Sequence, residues 1–267
     1  MRILLAVVLA GCGRIGFEAE RTAGDGGGSG GGDAGTTGLQ MVACNSVSAG
    51  NPAVCNGLVA LLHFDRDPAF GETDLLAYDF AGRNNNATCV SPDCPTYTPN
   101  GRFGGAFAYT EPQAFSIANG PSVSISGAVT MSAWFYPNTM ASNWRVVITK
   151  IQASPLVANY GIPHNGGDLC VNFCKQSTGW QNHCAPTTYV PGRWYHLVGV
   201  IDDTNDRATL YVDGVKVVDD VEPMAMEQDG GSVWIGWSPT NFGVDGIIDE
   251  VAIWNRALSD VEIAALY

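Results

Sequence analysis

The chain reads as an all-β fold: two antiparallel sheets packed as a sandwich, closed by one short C-terminal helix. Three observations predict this. Apolar residues alternate with period two in short runs through most of the chain after residue 57. Gly, Pro and Asn, the residues of turns, punctuate those runs. A good helix signal appears only in the last segment. Many short strands of this kind need two packed layers to bury their apolar faces.

The N-terminal segment carries an address. Met1-Arg2 gives a positive start and Ile3 to Ala10 an unbroken apolar run. A bilayer span needs roughly 20 apolar residues, so this run is too short to cross. It has the size of the apolar core of a signal peptide. Its end, Leu9-Ala10-Gly11-Cys12, resembles a bacterial lipobox, with small residues before the cysteine that is lipidated. Residues 1–11 are therefore expected to be a lipoprotein signal peptide and Cys12 the lipid-bearing first residue. The rival reading is an ordinary secretory signal with a chance cysteine. Gly13 rather than Asp follows Cys12, which by analogy with diderm lipoproteins favours the outer membrane or cell surface.

Residues 12–38 form a tether. Gly24 to Gly38 reads GDGGGSGGGDAGTTG, with too little apolar surface to offset the entropy of ordering. A coil of this composition reaches about 30 Å r.m.s.. A Cys-containing lead-in, residues 39–56, precedes the folded domain at 57–267.

Composition limits the partners. Lys and Arg number 13 against 26 Asp and Glu, giving a net charge of −13. Such a surface repels phosphate backbones and anionic headgroups. Nucleic acid is excluded as a partner, and the membrane is met only through the lipid anchor.

The eight cysteines agree with export. Apart from Cys12 they cluster, and the clusters pair as Cys44–Cys55, Cys89–Cys94, and two of Cys170, Cys174 and Cys184, leaving one thiol over. Cys170, Cys174, His183 and Cys184 make a rival zinc set, but the spacing is not a standard zinc pattern and exported thiols oxidise.

The strands follow in order. Val129 to Tyr136, VTMSAWFY, puts Val129, Met131, Ala133 and Phe135 on one face. Trp194 to Ile201, WYHLVGVI, is apolar on both faces. Ala208 to Val212 and Val215 to Val218 flank Asp213-Gly214, the signal of a type I′ hairpin. Ser232 to Trp237 and Gly246 to Trp254 are further strands. Ser259 caps the closing helix with Glu262 three residues on as a capping box, and Val261, Ile263 and Leu266 are expected to face the sandwich. Ala153 to Pro191 reads as the longest irregular region.

The last segment, DGIIDEVAIWNRALSDVEIAALY from Asp245 to Tyr267, closely resembles the closing strand and helix of laminin-G-like jelly-roll domains of the concanavalin A-like lectin and glucanase superfamily. Other stations resemble that family in order: GLVALLHFD at Gly57 to Asp65, AYDFAGRNNNAT at Ala77 to Thr88, GRFGGAFAY at Gly101 to Tyr109, ISGAVTMSAWFYP at Ile125 to Pro137, and the hairpin from Pro191 to Val217. The resemblance implies a jelly-roll sandwich. It also implies a structural calcium ion held by Asp65, Asp79 and Asp249, since calcium takes several oxygen ligands. Turn formation by Asp79 and the Asn84-Asn85-Asn86 run, with Asp249 accepting backbone hydrogen bonds, is the competing account. Trp134, Trp194 and Trp254 are expected to fill the space between the sheets. Arg256 is expected to pair with Asp260 or Glu262, and His196 to be a buried, satisfied histidine.

The same fold hosts glycoside hydrolases, so chemistry was sought. Hydrolysis needs two carboxylates flanking one sugar. The family's hydrolase branch carries Glu, Asp and Glu at alternate positions of one strand, and no such triplet occurs here. Asp249-Glu250 is the nearest pair, and adjacent strand residues point to opposite faces. Neither a nucleophile elbow nor a phosphate loop is present. The chain reads as a non-enzyme.

Binding is the remaining role. Within 153–191, Tyr160, His164, Asn165, Trp180 and Asn182 combine rings that stack on a pyranose with amides that bond its hydroxyls. Trp144 and Trp237 are weaker candidates of the same type. The expected partner is an extracellular polysaccharide or glycan, the alternative an envelope protein that the domain joins as an adhesion or scaffold module.

Overall fold

The computed structural model describes residues 53–139, 142–152, 156–175, 179–186, 189–223, 225–227, 230–240 and 242–267. The signal peptide, Cys12, the tether and Cys44 lie outside them. Within them the chain forms sixteen strands, one α-helix and two single-turn 3-10 helices at Ala53–Cys55 and Pro68–Phe70. The strands are β1 (Leu58–Leu62), β2 (Leu76–Ala77), β3 (Ala87–Thr88), β4 (Thr96–Thr98), β5 (Ala106–Tyr109), β6 (Phe115–Ile117), β7 (Ala128–Pro137) and β8 (Trp144–Gln152). They continue as β9 (Val157–Asn165), β10 (Asp168–Lys175), β11 (Gly179–Ala185), β12 (Tyr195–Asp202), β13 (Arg207–Val212), β14 (Val215–Val221), β15 (Ser232–Ile235) and β16 (Gly246–Trp254). The helix α1 spans Asp260–Leu266.

Two eight-stranded sheets pack face to face. The first runs β14-β13-β12-β7-β16-β5-β4, with β1 also on β16. The second runs β11-β10-β9-β8-β15-β6-β3-β2. Every pairing between named strands is antiparallel. This is the expected sandwich, and its connectivity is far from local: β16, near the end of the chain, sits between β7 and the pair β1 and β5.

The core lies between the sheets. Val129, Met131, Ala133 and Phe135 of β7 enter it, as the alternation predicts, and meet Ile148, Tyr160, Ile162, Val171 and Phe173 from the second sheet. A second apolar cluster covers the outer face of the first sheet, where Ile263 and Leu266 of α1 pack on Leu61, Val198 and Trp254. Val261 instead points to solvent at 80% exposure. One helical face carries the residues three apart, Ile263 and Leu266, and Val261 falls off it. The capping box forms in full, and Arg256 pairs with Glu262 at 2.6 Å.

Three tryptophans depart from expectation. Trp254 belongs to the cluster beneath α1. Trp134 also faces outward, where it clusters with His196 and Tyr267. Trp194 precedes β12 and packs on Tyr136. The space between the sheets is filled by Phe, Tyr and aliphatic residues instead. The alternation itself explains this, because Trp134 shares the face of Thr130 and Ser132, opposite to Met131 and Phe135.

The largest departure is the stretch from 153 to 191. It contains three of the eight strands of the second sheet, β9, β10 and β11. Their outer face carries Asn, Gly, Pro and Cys, which mask the period-two signal. Asp213 and Gly214, at φ of 52° and 74°, make the predicted hairpin turn between β13 and β14.

Candidate functional site

Side chains alternate along β8 to β11, so every second residue leaves the core. On β9, Tyr160, Ile162 and His164 point inward, and Asn159, Gly161 and Pro163 outward. On β10, Leu169, Val171 and Phe173 are core residues. Cys170, Asn172 and Cys174 therefore lie on the outer face. Across from them on β11 stand Cys184, Asn182 and Trp180.

A groove of about 250 Å³ opens on this face. Trp144, Val146, Thr149 and Ile151 of β8 supply one side, and Asn172, Trp180 and Asn182 the other. The segment carrying Ser238, Thr240 and Phe242 forms a wall. That wall is pinned by backbone bonds: Val146 N donates to Phe242 O at 3.2 Å and Val244 N to Gly236 O at 2.8 Å. Pro163 lines it from β9, and beside Asn172 the same face carries Gly161, where a Cβ would stand 2.8 Å from Asn172 Oδ1 and 3.1 Å from Ile148 O.

The polar groups of the groove are already arranged. Asn172 Nδ2 donates to Asn182 Oδ1 at 3.1 Å. Asn172 is nearly buried, and Asn182 is open to solvent. That bond leaves the Asn172 oxygen as acceptor and the Asn182 amide group as donor. Ser238 and Thr240 share a hydroxyl–hydroxyl bond of 2.6 Å. Trp180 is 41% exposed, a large ring with a free face.

Of the five predicted binding residues, Trp180 and Asn182 line the groove. Tyr160 and His164 do not. Tyr160 is fully buried and its hydroxyl donates to Val123 O at 2.9 Å. His164 lies between the sheets against the Tyr189 hydroxyl, 2.6 Å from its Nδ1. Burial, with Arg145 adding repulsion, lowers its pKa to about 4, so it stays neutral. Both sit one residue out of phase with the groove face. Asn165 closes β9 opposite Trp144 and Asp168, beyond the lining. Trp144, the weaker candidate, lines the groove, and Trp237 packs on Trp234 instead. Thr149, Asn172, Ser238, Thr240 and Phe242 escaped sequence reading. Once Cys170 and Cys184 are paired, the register alone would have brought Asn172 opposite Asn182.

The disulfides are Cys89–Cys94 and Cys170–Cys184. Cys174 is the remaining thiol of its cluster and is buried. Cys55 is also disulfide-bonded. Cys44, with which the sequence pairs it, lies outside the described residues.

The three expected calcium ligands do not form one set. Asp79 is enclosed by backbone: its Oδ1 accepts from Leu61 and Ala81, its Oδ2 from Arg83 and Asn85, at 2.9–3.0 Å. Asp65 accepts from Gly105 N at 2.8 Å, and Asp249 from Phe103 N at 3.0 Å and Glu250 N at 2.8 Å. Asp65 and Asp249 thus hold the same turn, while Asp79 ties the 81–85 loop to β1. Among the described residues no group of three His, Cys, Asp or Glu is placed to hold a metal. Burial raises the Asp249 pKa well above the usual range, with Glu250 and Asp65 adding repulsion. Glu250 is taken by His63 at 2.7 Å. Asp249 and Glu250 are both at most 1% exposed and lie on the first sheet, away from the groove.

A family model described as the concanavalin A-like lectin/glucanases superfamily matches residues 110–264, more than half of the chain. The chain belongs to this superfamily. No curated protein matches it in sequence. Among solved structures, the concanavalin A-like domain is similar to the binding domain of Paraclostridial Mosquitocidal Protein 1, with a TM-score of 0.62 and 16% identity over 79% of this chain and 51% of that one. It is similar to domain 4 of AbnA, a GH43 extracellular arabinanase from Geobacillus stearothermophilus solved with arabinotriose, with a TM-score of 0.56 and 19% identity over 78% of this chain and 97% of that domain. Trypanosoma rangeli sialidase matches at 0.59 and 13% identity, over 86% of this chain and 37% of its own. The chain thus spans about half of the toxin domain and about a third of the sialidase. At these identities the likeness is one of fold, and it shows the jelly-roll class. Disulfide bonds persist in oxidising compartments, so those seen here suggest an exported protein. Among the described residues no helix is long and apolar enough to cross a membrane.

Proposed function

We propose that this protein is a non-catalytic module that binds extracellular carbohydrate through the groove on β8 to β11, held at the cell envelope by a lipid on Cys12. The observation that carries the reading is the groove's chemistry. Indole faces at Trp144 and Trp180 stand beside an Asn172–Asn182 amide pair with unused donors and acceptors. Rings present apolar area at low entropic cost, and a sugar ring has an apolar face to cover them. Amides and hydroxyls that both donate and accept match sugar hydroxyls. The groove is rigid, because its strands belong to one continuous sheet.

The arabinanase domain crystallised with arabinotriose supports a glycan as the ligand class for this fold. The binding domain of Botulinum neurotoxin DC in complex with rat synaptotagmin II, similar in fold with a TM-score of 0.59 and 12% identity, supports a protein partner equally at that level. The groove's composition favours the sugar. Its lining holds no carboxylate, whereas hydrolysis needs a pair. The net charge of −13 argues against phosphate-bearing partners.

A glycan array probed with the purified protein, and with Trp180→Ala beside it, tests this. Selective binding lost in the variant supports the reading. Absence of binding to any glycan, with retention of the protein by an isolated envelope protein, overturns it in favour of adhesion.

A further inference from the structure

We infer that the groove selects uncharged glycans and rejects those bearing carboxylate, sulfate or phosphate groups. This rests on the carbohydrate reading and narrows it to a ligand class.

Every lining side chain is neutral. A buried anionic group on a sugar needs a cation or several aligned donors to offset its lost hydration. The cations nearby are committed elsewhere. Lys150, fully buried, donates to Gly231 O at 2.8 Å. Lys175 pairs with Glu222. Arg145 is directed to Glu111 at 3.6 Å and to its neighbour's carbonyl, Trp144 O, at 3.2 Å. Freeing any of them would leave a carbonyl or carboxylate without its partner.

The polar groups match a neutral ligand. The Asn172–Asn182 bond leaves one acceptor oxygen and one donor amide side by side, and a sugar hydroxyl satisfies both at once. A carboxylate accepts only, so it would set like partial charge against the Asn172 oxygen. The bond from the Asn172 nitrogen to Asn182 sets the direction in which that oxygen faces. The long-range field acts in the same direction, since a chain of net charge −13 repels a polyanion before contact.

The test is a titration of the purified protein with paired glycans that share a backbone and differ in charge, neutral against uronic, sialylated or sulfated, at several salt concentrations. The expected result is binding of neutral members alone, changing less than about twofold between about 50 and about 500 mM salt, where exposed charge pairs are screened. Trp180→Ala should weaken it about tenfold or more, the equivalent of 1.4 kcal/mol. Trp180 is half out of the fold, so its loss spares folding, and Asn182→Ala provides a second probe. Binding of an anionic glycan that weakens with salt and is lost in Trp180→Ala overturns the selectivity and leaves the carbohydrate reading standing. Glycan binding untouched by both variants overturns the groove as the site. No binding to any glycan overturns the carbohydrate reading and the selectivity with it.

Discussion

Asn172 and Asn182 stand directly opposite each other on β10 and β11, and the amide of the first donates to the oxygen of the second at 3.1 Å. This pair is the polar centre of the groove, and it couples ligand recognition to the stability of an edge strand. Replacing Asn182 by Ala leaves the nearly buried Asn172 amide unpaired. A loss of about 1 kcal/mol in stability is expected, together with an affinity loss of about tenfold. Thermal unfolding and ligand titration of the same preparation check the two effects.

Gly161 leaves room for the Asn172 side chain. A Cβ there would meet Asn172 Oδ1 at 2.8 Å and backbone at 3.1 Å. Gly161→Ala is expected to cost about 1–3 kcal/mol through overpacking and to push Asn172 out of register with Asn182. Affinity should fall further than stability predicts, which titration well below the melting temperature would reveal.

The bond between Cys170 and Cys184 fastens β11 to β10 beside that pair. The fourteen-residue separation it closes suggests a contribution of about 3 kcal/mol. The double Cys→Ser variant should melt lower by that order and bind more weakly, because Trp180 and Asn182 ride on the released strand. Equal melting temperatures for oxidised and reduced protein would count against this.

Burial holds two neutral histidines in the fold. His164 and His196 both have pKa values lowered from 6.5 to about 4, chiefly by burial, with Arg145 and Arg102 adding repulsion. Because the unfolded chain takes up these protons first, the stability they give is full above pH 6.5 and is lost as pH falls toward 4. Each accounts for about 3 kcal/mol over that interval. Glu72, Asp79 and Asp249 have raised pKa values from burial, so acidification relieves them and opposes the loss. In His196→Gln, which preserves a partner for Ser132 (2.9 Å from Nε2), the stability difference from wild type should shrink by about 3 kcal/mol between pH 7 and pH 4. Denaturant titrations across that range measure it.

The Asp79 carboxylate accepts four backbone amides, which tie the 81–85 loop to β1. Removing calcium with EDTA is expected to leave the melting temperature and glycan binding unchanged. Asp79→Ala, by contrast, strands those amides and should cost several kcal/mol, at about 1–3 kcal/mol for each buried donor left unpaired. A melting temperature that rises on adding calcium would refute this.

The sandwich was legible in the sequence where apolar and polar residues alternate cleanly, as in β7, β12 and the β13–β14 hairpin. The terminal helix was legible from its capping box. The strands β9 to β11 were hidden, because Gly, Asn, Pro and Cys on their outer face imitate a loop. The groove was hidden with them. Trp180 and Asn182 could be picked by residue type, but Tyr160 and His164 have the same chemistry on the opposite face. Only strand phase separates them, and phase becomes readable once Cys170 is known to pair with Cys184. The wall at Ser238, Thr240 and Phe242 arrives from far along the chain, where no local pattern points to the groove.

The most direct test of the account is isothermal titration of a glycan selected by array into wild-type protein and into Trp180→Ala. The account predicts saturable binding to the wild type and a loss of about tenfold or more in the variant, with melting temperature unchanged. Equal affinity for both proteins would contradict it and place the ligand elsewhere than on the open face of β8 to β11.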